Sequence, residues 1–122
     1  MLKHLKFHRE IWENGRWQEM SIFDQLANIW AEVGRSLNNL KNGNQERFDE
    51  SIKRAYELLD MAMADPKRRK TPKLREICLI RELISDYFFA DNQYQSTPEF
   101  FERYFFEKTV IANEQRRKKR KS

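Results

Sequence analysis

The sequence predicts an all-α fold: an antiparallel four-helix bundle with an irregular N-terminal arm and a basic C-terminal tail. Two observations support this prediction. Glycine and proline each occur only three times in 122 residues, too few for the turns of a many-stranded fold. Apolar residues also recur every three or four positions along four segments, which places them on one face of a helix. Helices of similar length joined by short links are expected to pack antiparallel.

Composition divides the chain into three regions: an N-terminal arm over residues 1–20, a helical domain over residues 21–113 and a basic, flexible tail over residues 114–122. A domain of this size buries a core without disulfides or metals. The single Cys78 fits a reducing compartment, and no secretion signal or bilayer-spanning apolar run is evident. We therefore expect a cytoplasmic protein that does not contact a membrane.

The arm is the part of the sequence that is hardest to interpret. Asn14 and Gly15 stand between two tryptophans, and this dipeptide is typical of a hairpin turn, but the flanking residues do not alternate as strands do. We expect Phe7, Trp12 and Trp17 to pack across the helices or against a neighbouring chain.

End signals and apolar stripes define the first two helices. Ser21 with Asp24 approximates a capping box, and Gly43 suits the left-handed residue after the last turn. The second helix is expected from Gln45 to Ala64. The predicted buried stripes are Ile22, Leu26, Ile29, Val33, Leu37 and Leu40 in the first helix, and Phe48, Ile52, Ala55, Leu59 and Ala62 in the second.

The third and fourth helices begin with the same signal, a threonine cap followed by proline, at Thr71 and Thr97. The fourth is expected to fray near Asn113. Gly34, inside the first helix, predicts close approach of another backbone. The predicted inward residues are Leu74, Ile77, Cys78, Ile80 or Arg81, Ile84, Tyr87 and Phe88 in the third helix, and Phe100, Phe101, Tyr104, Phe105, Ile111 and Ala112 in the fourth.

Aromatic residues are concentrated between positions 87 and 106, where nine of them occur. Their helical spacing favours core packing over a base-stacking platform, although cations nearby would suit one. Phe89, Tyr94 and Phe106 lie off the main stripe. We expect these three to form a self-association surface, most simply that of a dimer.

Positive charge is concentrated in two short segments. The tail supplies six of the 24 Lys and Arg residues, which leaves 18 against 19 Asp and Glu in the rest of the chain. In an up-down-up-down bundle the loop after the second helix and the chain end lie at the same end. Such cations bind nucleic acid or an acidic partner, or simply keep the end solvated. The predicted binding residues are Lys67, Arg68, Arg69, Lys70, Arg116, Arg117, Lys118, Lys119, Arg120 and Lys121.

Carboxylates cluster around the turn between the third and fourth helices, at Asp86, Asp91, Glu99 and Glu102, with Asn92 among them. Their spacing matches no calcium loop. We expect capping and salt bridges from them, with Asp86 on the outward side of the third helix.

The two histidines, His4 and His8, stand four residues apart in the arm, but the sequence offers no third ligand. We expect both to be solvated. The sequence therefore predicts no metal site, no cofactor and no catalytic centre.

The segments FDESIKRAYELLDMA and REICLIRELISDYFFADNQYQSTPEFFERYF resemble those of a group of small uncharacterised bacterial all-helical proteins, over residues 21–112. More distantly, the chain resembles the HEPN class of helical bundles, which includes RNases and partners of minimal nucleotidyltransferases. The resemblance implies a bundle that acts in a dimer or a two-component complex. Active HEPN proteins have an Arg-x4-6-His motif on the last core helix, whereas no histidine follows Arg103 here.

The sequence thus predicts a non-enzymatic helical binding module that contacts nucleic acid or an acidic partner through its basic tail, with a protein partner or a second copy of itself. The alternative is a HEPN-type RNase, or a component of a toxin–antitoxin or nucleotidyltransferase pair. A third reading is a structural subunit of a complex with another protein.

Overall fold

A computed structural model describes Leu2 and residues 5–121, and every regular element in this part of the chain is helical. The all-α prediction is therefore confirmed. Two short helices precede four long ones. The elements are α1 (Arg9–Glu13), α2 (Arg16–Glu19), α3 (Ile22–Lys41), α4 (Gln45–Ala64) and, after a 3-10 turn at Pro66–Arg68, α5 (Pro72–Phe89) and α6 (Pro98–Lys121).

The predicted limits of α3 and α4 are confirmed, because local hydrogen bonds fix both helix starts. The Ser21 Oγ accepts the backbone N–H of Asp24 at 3.1 Å, and the Asn44 Oδ1 accepts that of Arg47 at 3.1 Å. Between the two helices Gly43 has φ 71°, the left-handed conformation that glycine adopts at low cost.

The two threonine–proline signals have different outcomes. Thr97 caps α6 as predicted, since its Oγ1 accepts the backbone N–H of Phe100 at 3.1 Å. Thr71 precedes α5 as predicted, but its hydroxyl donates instead to the carbonyl oxygen of Arg68 at 2.7 Å. The side chain of Thr71 therefore stabilises the preceding turn rather than the helix start.

Helix α3 packs against both α4 and α6, and α4 also packs against α5. On the α6 side, the rings of Trp30 and Phe105 stack with centroids 5.2 Å apart. Side chains of α5 and α6 also meet, as in the edge-to-face pair of Tyr87 and Phe101 at 5.5 Å. The fully buried apolar residues are Trp17, Leu26, Ile29, Val33, Ala55, Leu59, Met61, Ala62, Ile77, Ile84, Phe101, Phe105 and Ala112.

The N-terminal arm is partly helical rather than irregular, with Gly15 at φ 80° in the turn between α1 and α2. No hairpin occurs among the described residues of the arm. Trp17 is 0% exposed and Trp12 is half-buried against the same core, which confirms the predicted packing. The Glu57 carboxylate holds the start of the arm by accepting the backbone N–H groups of residues 6–8, at 2.9, 2.9 and 2.6 Å.

Three residues predicted to face inward are exposed instead. The buried face of α5 runs through Ile77 and Ile84, and Cys78 lies one position, or about 100°, around the helix from that face. Leu40 in the last turn of α3 and Phe100 in the first turn of α6 are exposed because they lie at helix ends, where less of the structure covers them.

Asp86 is buried, which contradicts its predicted outward position. Its carboxylate accepts the backbone N–H groups of Gln93 at 2.9 Å and Tyr94 at 3.1 Å. The next part of the turn is closed by Asn92, whose Oδ1 accepts the N–H of Ser96 at 2.9 Å. The predicted capping role is therefore confirmed for Asp86, and the buried backbone donors explain why it points inward.

Gly34 does not mark the approach of another backbone, contrary to the prediction. A Cβ at this position would lie 3.8 Å from the indole of Trp30 one turn earlier, and other helices are not among its nearest neighbours. The glycine instead lines a groove of about 540 Å³, together with Trp30, Leu37 and Pro98.

Candidate nucleic-acid interface

The basic C-terminal segment is a helical extension of α6 through Lys121, not an irregular tail that begins near Asn113. Glutamine, arginine and lysine are good helix formers, and cations in the last turn interact favourably with the helix dipole. The extension is also anchored to α3, because the Arg116 guanidinium lies 2.9 Å from the Asp24 carboxylate. No apolar stripe predicts this extension, because the residues after Ala112 are polar.

A buried polar network fixes the basic loop between α4 and α5. Asp65 and Gln25 are both fully buried, and the Gln25 amide donates to the Asp65 carboxylate at 2.8 Å and to the Trp17 carbonyl at 3.0 Å. Asp65 also accepts the backbone N–H of Lys67 at 3.0 Å, and the Arg68 guanidinium donates to the Gln25 Oε1 at 3.2 Å. The loop is therefore tied to both α3 and the arm.

Arg68 is one of the predicted binding residues, but it is buried and its side chain is engaged within the protein. It is 9% exposed, and Asp65 and Gln25 occupy its terminal nitrogen. Arg69 and Lys70 are exposed, with Lys70 in a left-handed conformation at φ 61°. Lys67 is exposed, and its ammonium donates to the Met20 carbonyl at 2.8 Å.

The first turn of α3 brings the loop region and the α6 extension together. Each of three consecutive residues there contacts a cation from the loop, from the adjoining first turn of α5 or from the α6 extension. Phe23 has the Lys73 ammonium 5.5 Å from its ring centroid, Asp24 binds Arg116, and Gln25 binds Arg68. We call the resulting region the basic end; its exposed cations are Lys67, Arg69, Lys70, Arg116, Arg117, Lys118, Lys119, Arg120 and Lys121.

The three aromatic residues predicted for self-association are all exposed, and each has different neighbours. Phe89 lies 6.1 Å from the Phe48 ring on the α4 side. Phe106 lines a hollow with Trp30 on the α3 side. Tyr94 lies in the turn after α5, where its hydroxyl donates to Glu82 at 3.2 Å. Self-association through these three residues therefore stays a prediction.

A cluster around Glu76, which no sequence pattern predicted, joins α5 to α6. The Tyr104 hydroxyl donates to the Glu76 carboxylate at 2.8 Å, the Lys73 ammonium lies 3.1 Å away and that of Lys108 lies 3.8 Å away. Burial alone would raise the pKa of Glu76, but these donors and positive charges together lower it. Burial and the Glu76 carboxylate raise the pKa of Tyr104. The hydroxyl therefore stays protonated and links the two helices.

The histidines and carboxylates were the candidate metal ligands in the sequence. His8 is not solvated as predicted, because its Nδ1 lies 3.1 Å from the Glu57 carboxylate; His4 lies outside the described residues. Within residues 5–121 and Leu2, no three His, Cys, Asp or Glu side chains are grouped as a metal site would require. In the same part of the chain, none of the helices is long and apolar enough to cross a membrane.

Comparison of the chain with protein-family models, with curated proteins and with solved structures gave no match. The resemblance to small bacterial helical proteins and to HEPN bundles thus stays a prediction.

Proposed function

We propose that this protein is a non-enzymatic binding module, an antiparallel bundle of α3 to α6 that contacts nucleic acid through its basic end. The exposed thiol of Cys78 fits action in the reducing cytoplasm. The binding is directed at phosphates and is independent of sequence. The proposal keeps the loop and C-terminal cations as binding residues and leaves out Arg68.

Contacts between neighbouring helices support the antiparallel arrangement. Arg116 near the end of α6 meets Asp24 near the start of α3, and Phe105 meets Trp30 further along. Likewise, the Asp60 carboxylate late in α4 lies 3.3 Å from Arg81 in the middle of α5, while the ring of Phe48 early in α4 meets that of Phe89, the last residue of α5. In both helix pairs, residues later in one helix contact residues earlier in the other, as antiparallel packing requires.

The observation that carries the proposal is that the loop cations and the α6 extension share one end of the bundle. Residues 116–121 place six cations along about 9 Å of helix. Double-stranded DNA presents one negative charge per roughly 1.7 Å of its axis, so several phosphates lie within reach of this end. The loop then widens the basic surface beyond the width of one helix.

The positions of the exposed rings favour phosphate contacts over base stacking. Phe89, Tyr94 and Phe100 lie around the link between α5 and α6, at the opposite end of α6 from the cations. Single-strand platforms need rings and cations side by side. We therefore expect single strands and duplexes of any sequence to bind.

The test compares two variants with the same net charge. The first, Lys118→Gln/Lys119→Gln/Lys121→Gln, removes three cations from the basic end. The second, Lys41→Gln/Arg47→Gln/Lys53→Gln, removes three exposed cations from α3 and α4. Fluorescence anisotropy with a labelled 20-nucleotide RNA and a 20-base-pair DNA measures the affinity.

We expect the first variant to lose about tenfold or more in affinity and the second to stay near the wild-type value. Equal losses in the two variants would show that only net charge matters and would contradict the proposal. Absence of binding by the wild-type protein would favour an acidic protein partner instead. Degradation of the RNA that Arg103→Ala abolishes would favour the HEPN-type alternative.

A further inference from the structure

The outward face of α6 carries a regular stripe that the bundle does not use. Its residues follow one another at spacings of three and four, which keeps them on one side of the helix. All are exposed. They are Glu99, Glu102, Phe106, Val110, Asn113, Arg117 and Arg120.

This stripe lies on the far side of α6 from the core. At 100° per residue its centre is about 120° around the helix from the centre of the buried residues Phe101, Phe105 and Ala112. Its middle is apolar, since Phe106 is 66% exposed and Val110 is 38% exposed. Solvent-exposed apolar side chains at helical spacing are typical of a surface that packs against another helix.

The charges along the stripe differ between its two halves, and this arrangement determines which partner can bind there. Acidic residues occupy its N-terminal half, at Glu99 and Glu102, and basic residues occupy its C-terminal half, at Arg117 and Arg120. A helix with the same stripe that runs in the opposite direction places its basic residues opposite these acidic residues, and its acidic residues opposite these basic residues. The complementary partner is therefore a second copy of this chain.

We propose that α6 pairs antiparallel with α6 of a second copy, with the two-fold axis beside Val110. In this register Glu99 faces Arg120 of the second copy, Glu102 faces Arg117 of the second copy, and the two Val110 side chains meet. Two-fold symmetry doubles the pairs, so four ion pairs flank one apolar centre. The two kinds of ion pair share one midpoint, which lies between positions 109 and 110 and so places the two-fold axis beside Val110.

Other arrangements of the same two helices are less favourable. A parallel pair sets Glu99 against Glu99 and Arg117 against Arg117. An antiparallel pair shifted by one turn sets Phe106 against Val110 and Glu99 against Arg117 of the second copy, but it leaves Glu102 and Arg120 without a partner of opposite charge in the stripe. Like charges that face each other destabilise a helix pair, and the shifted pair forms half as many ion pairs, so the charges select the register centred beside Val110.

The surface beside the stripe leaves room for a partner. A hollow of about 530 Å³ lies between Trp30 of α3 and Phe106, with Glu99, Glu102 and Arg103 around it. Side chains of the second copy enter this hollow as the helices approach. Because the interface is small and its ion pairs are exposed, the dimer is weak and dissociates at high salt.

The dimer goes beyond the proposed nucleic-acid binding and does not depend on it. Two residues of the basic end, Arg117 and Arg120, contact the second copy in the dimer. Its other cations, in the loop and at positions 116, 118, 119 and 121, are not part of the contact between copies. Experiments on protein alone therefore test the dimer, whatever the outcome with nucleic acid.

Charge exchange tests the dimer directly. One variant carries Glu99→Arg/Glu102→Arg, and the other carries Arg117→Glu/Arg120→Glu. Sedimentation at low salt measures the association of each variant and of their equimolar mixture. We expect each variant alone to dimerise about tenfold or more weakly than the wild type, and the mixture to recover because its stripes are complementary again.

Cross-linking locates the two-fold axis. In a Cys78→Ser background, Val110→Cys is expected to form a disulfide-linked dimer under mild oxidation, whereas Leu79→Cys, exposed on α5, is expected to remain monomeric. Far-UV circular dichroism of each variant checks that the helices are retained. A wild-type protein that is monomeric at all concentrations, a mixture that does not associate, or equal cross-linking at both positions would each overturn the proposal.

Discussion

Phe105 and Phe106 are neighbours in sequence with opposite environments. Phe105 is fully buried and stacks on Trp30, whereas Phe106 is exposed. We expect Phe105→Ala to lower the free energy of unfolding by about 3–5 kcal/mol, because it leaves a cavity in the core. Phe106→Ala should change it by no more than about 0.5 kcal/mol. Urea unfolding of dilute protein measures both, and similar losses in the two variants would contradict the orientation of α6.

Glu57 makes the docking of the arm depend on pH. Burial alone would raise the pKa of its carboxyl, but hydrogen bonds from Lys6, His8 and Phe7 lower it below the ordinary value of 4.5. The stabilisation is therefore present above pH 4.5 and is lost as the pH falls through the lower pKa of the folded state.

We accordingly expect the amides of residues 6–8 to lose protection from hydrogen exchange in acid before the rest of the protein unfolds. Glu57→Gln should remove this pH step and lower the free energy of unfolding by about 1 kcal/mol at neutral pH. Glu50→Gln, which alters a more exposed carboxylate on the same helix, is the control. Arm amides that stay protected to the same pH as the core amides would rule out this role of Glu57.

At the scale of the element, the ion pair of Arg116 with Asp24 anchors the helical extension of α6 to α3. Arg116 pairs with Asp24, whereas Arg117 points to solvent on the same turn. We expect Arg116→Gln to shift the 13Cα resonances of residues 117–121 toward random-coil values, and Arg117→Gln to leave them helical. The effect on global stability should be below about 1 kcal/mol, because the pair is exposed. Random-coil shifts in the wild-type protein would show that the extension is not helical.

The sequence predicted α3 and α4 almost completely because each signal there is local. Ser21 and Gly43 mark ends, and the stripe from Phe48 to Ala62 is buried at every predicted position. In α5 the inward face was misjudged at Cys78, where two adjacent apolar residues fit a 3.6-residue period equally well. The end of α6 was missed because a polar helix has no stripe to reveal it.

The sequence predicted the cations of the candidate site, but it did not predict the buried side chains that hold the basic loop in place. Gln25 and Asp65 lie 40 positions apart, so their buried hydrogen bond leaves no periodic trace. The burial of Arg68 follows from that pair and was equally invisible. The shared end of the loop and the extension was predictable, because it follows from helix direction alone.

At the scale of the whole molecule, the charge distribution is uneven. Residues 116–121 are six adjacent cations, whereas positive and negative charges nearly balance in the rest of the chain. The second basic segment, the loop after α4, lies beside them. In the proposed dimer the two basic ends point in opposite directions, because the paired α6 helices are antiparallel. Each α6 spans about 36 Å, so one dimer would present two separate surfaces to nucleic acid.

The most direct test of the account is the salt dependence of nucleic-acid affinity. Each phosphate contact contributes about 0.9 to the slope of log affinity against log salt for duplex DNA. We expect a steep slope for the wild type, a slope lower by about two to three units for Lys118→Gln/Lys119→Gln/Lys121→Gln, and no change for Lys41→Gln/Arg47→Gln/Lys53→Gln. A wild-type slope near zero, or the same slope in both variants, would contradict binding through the basic end.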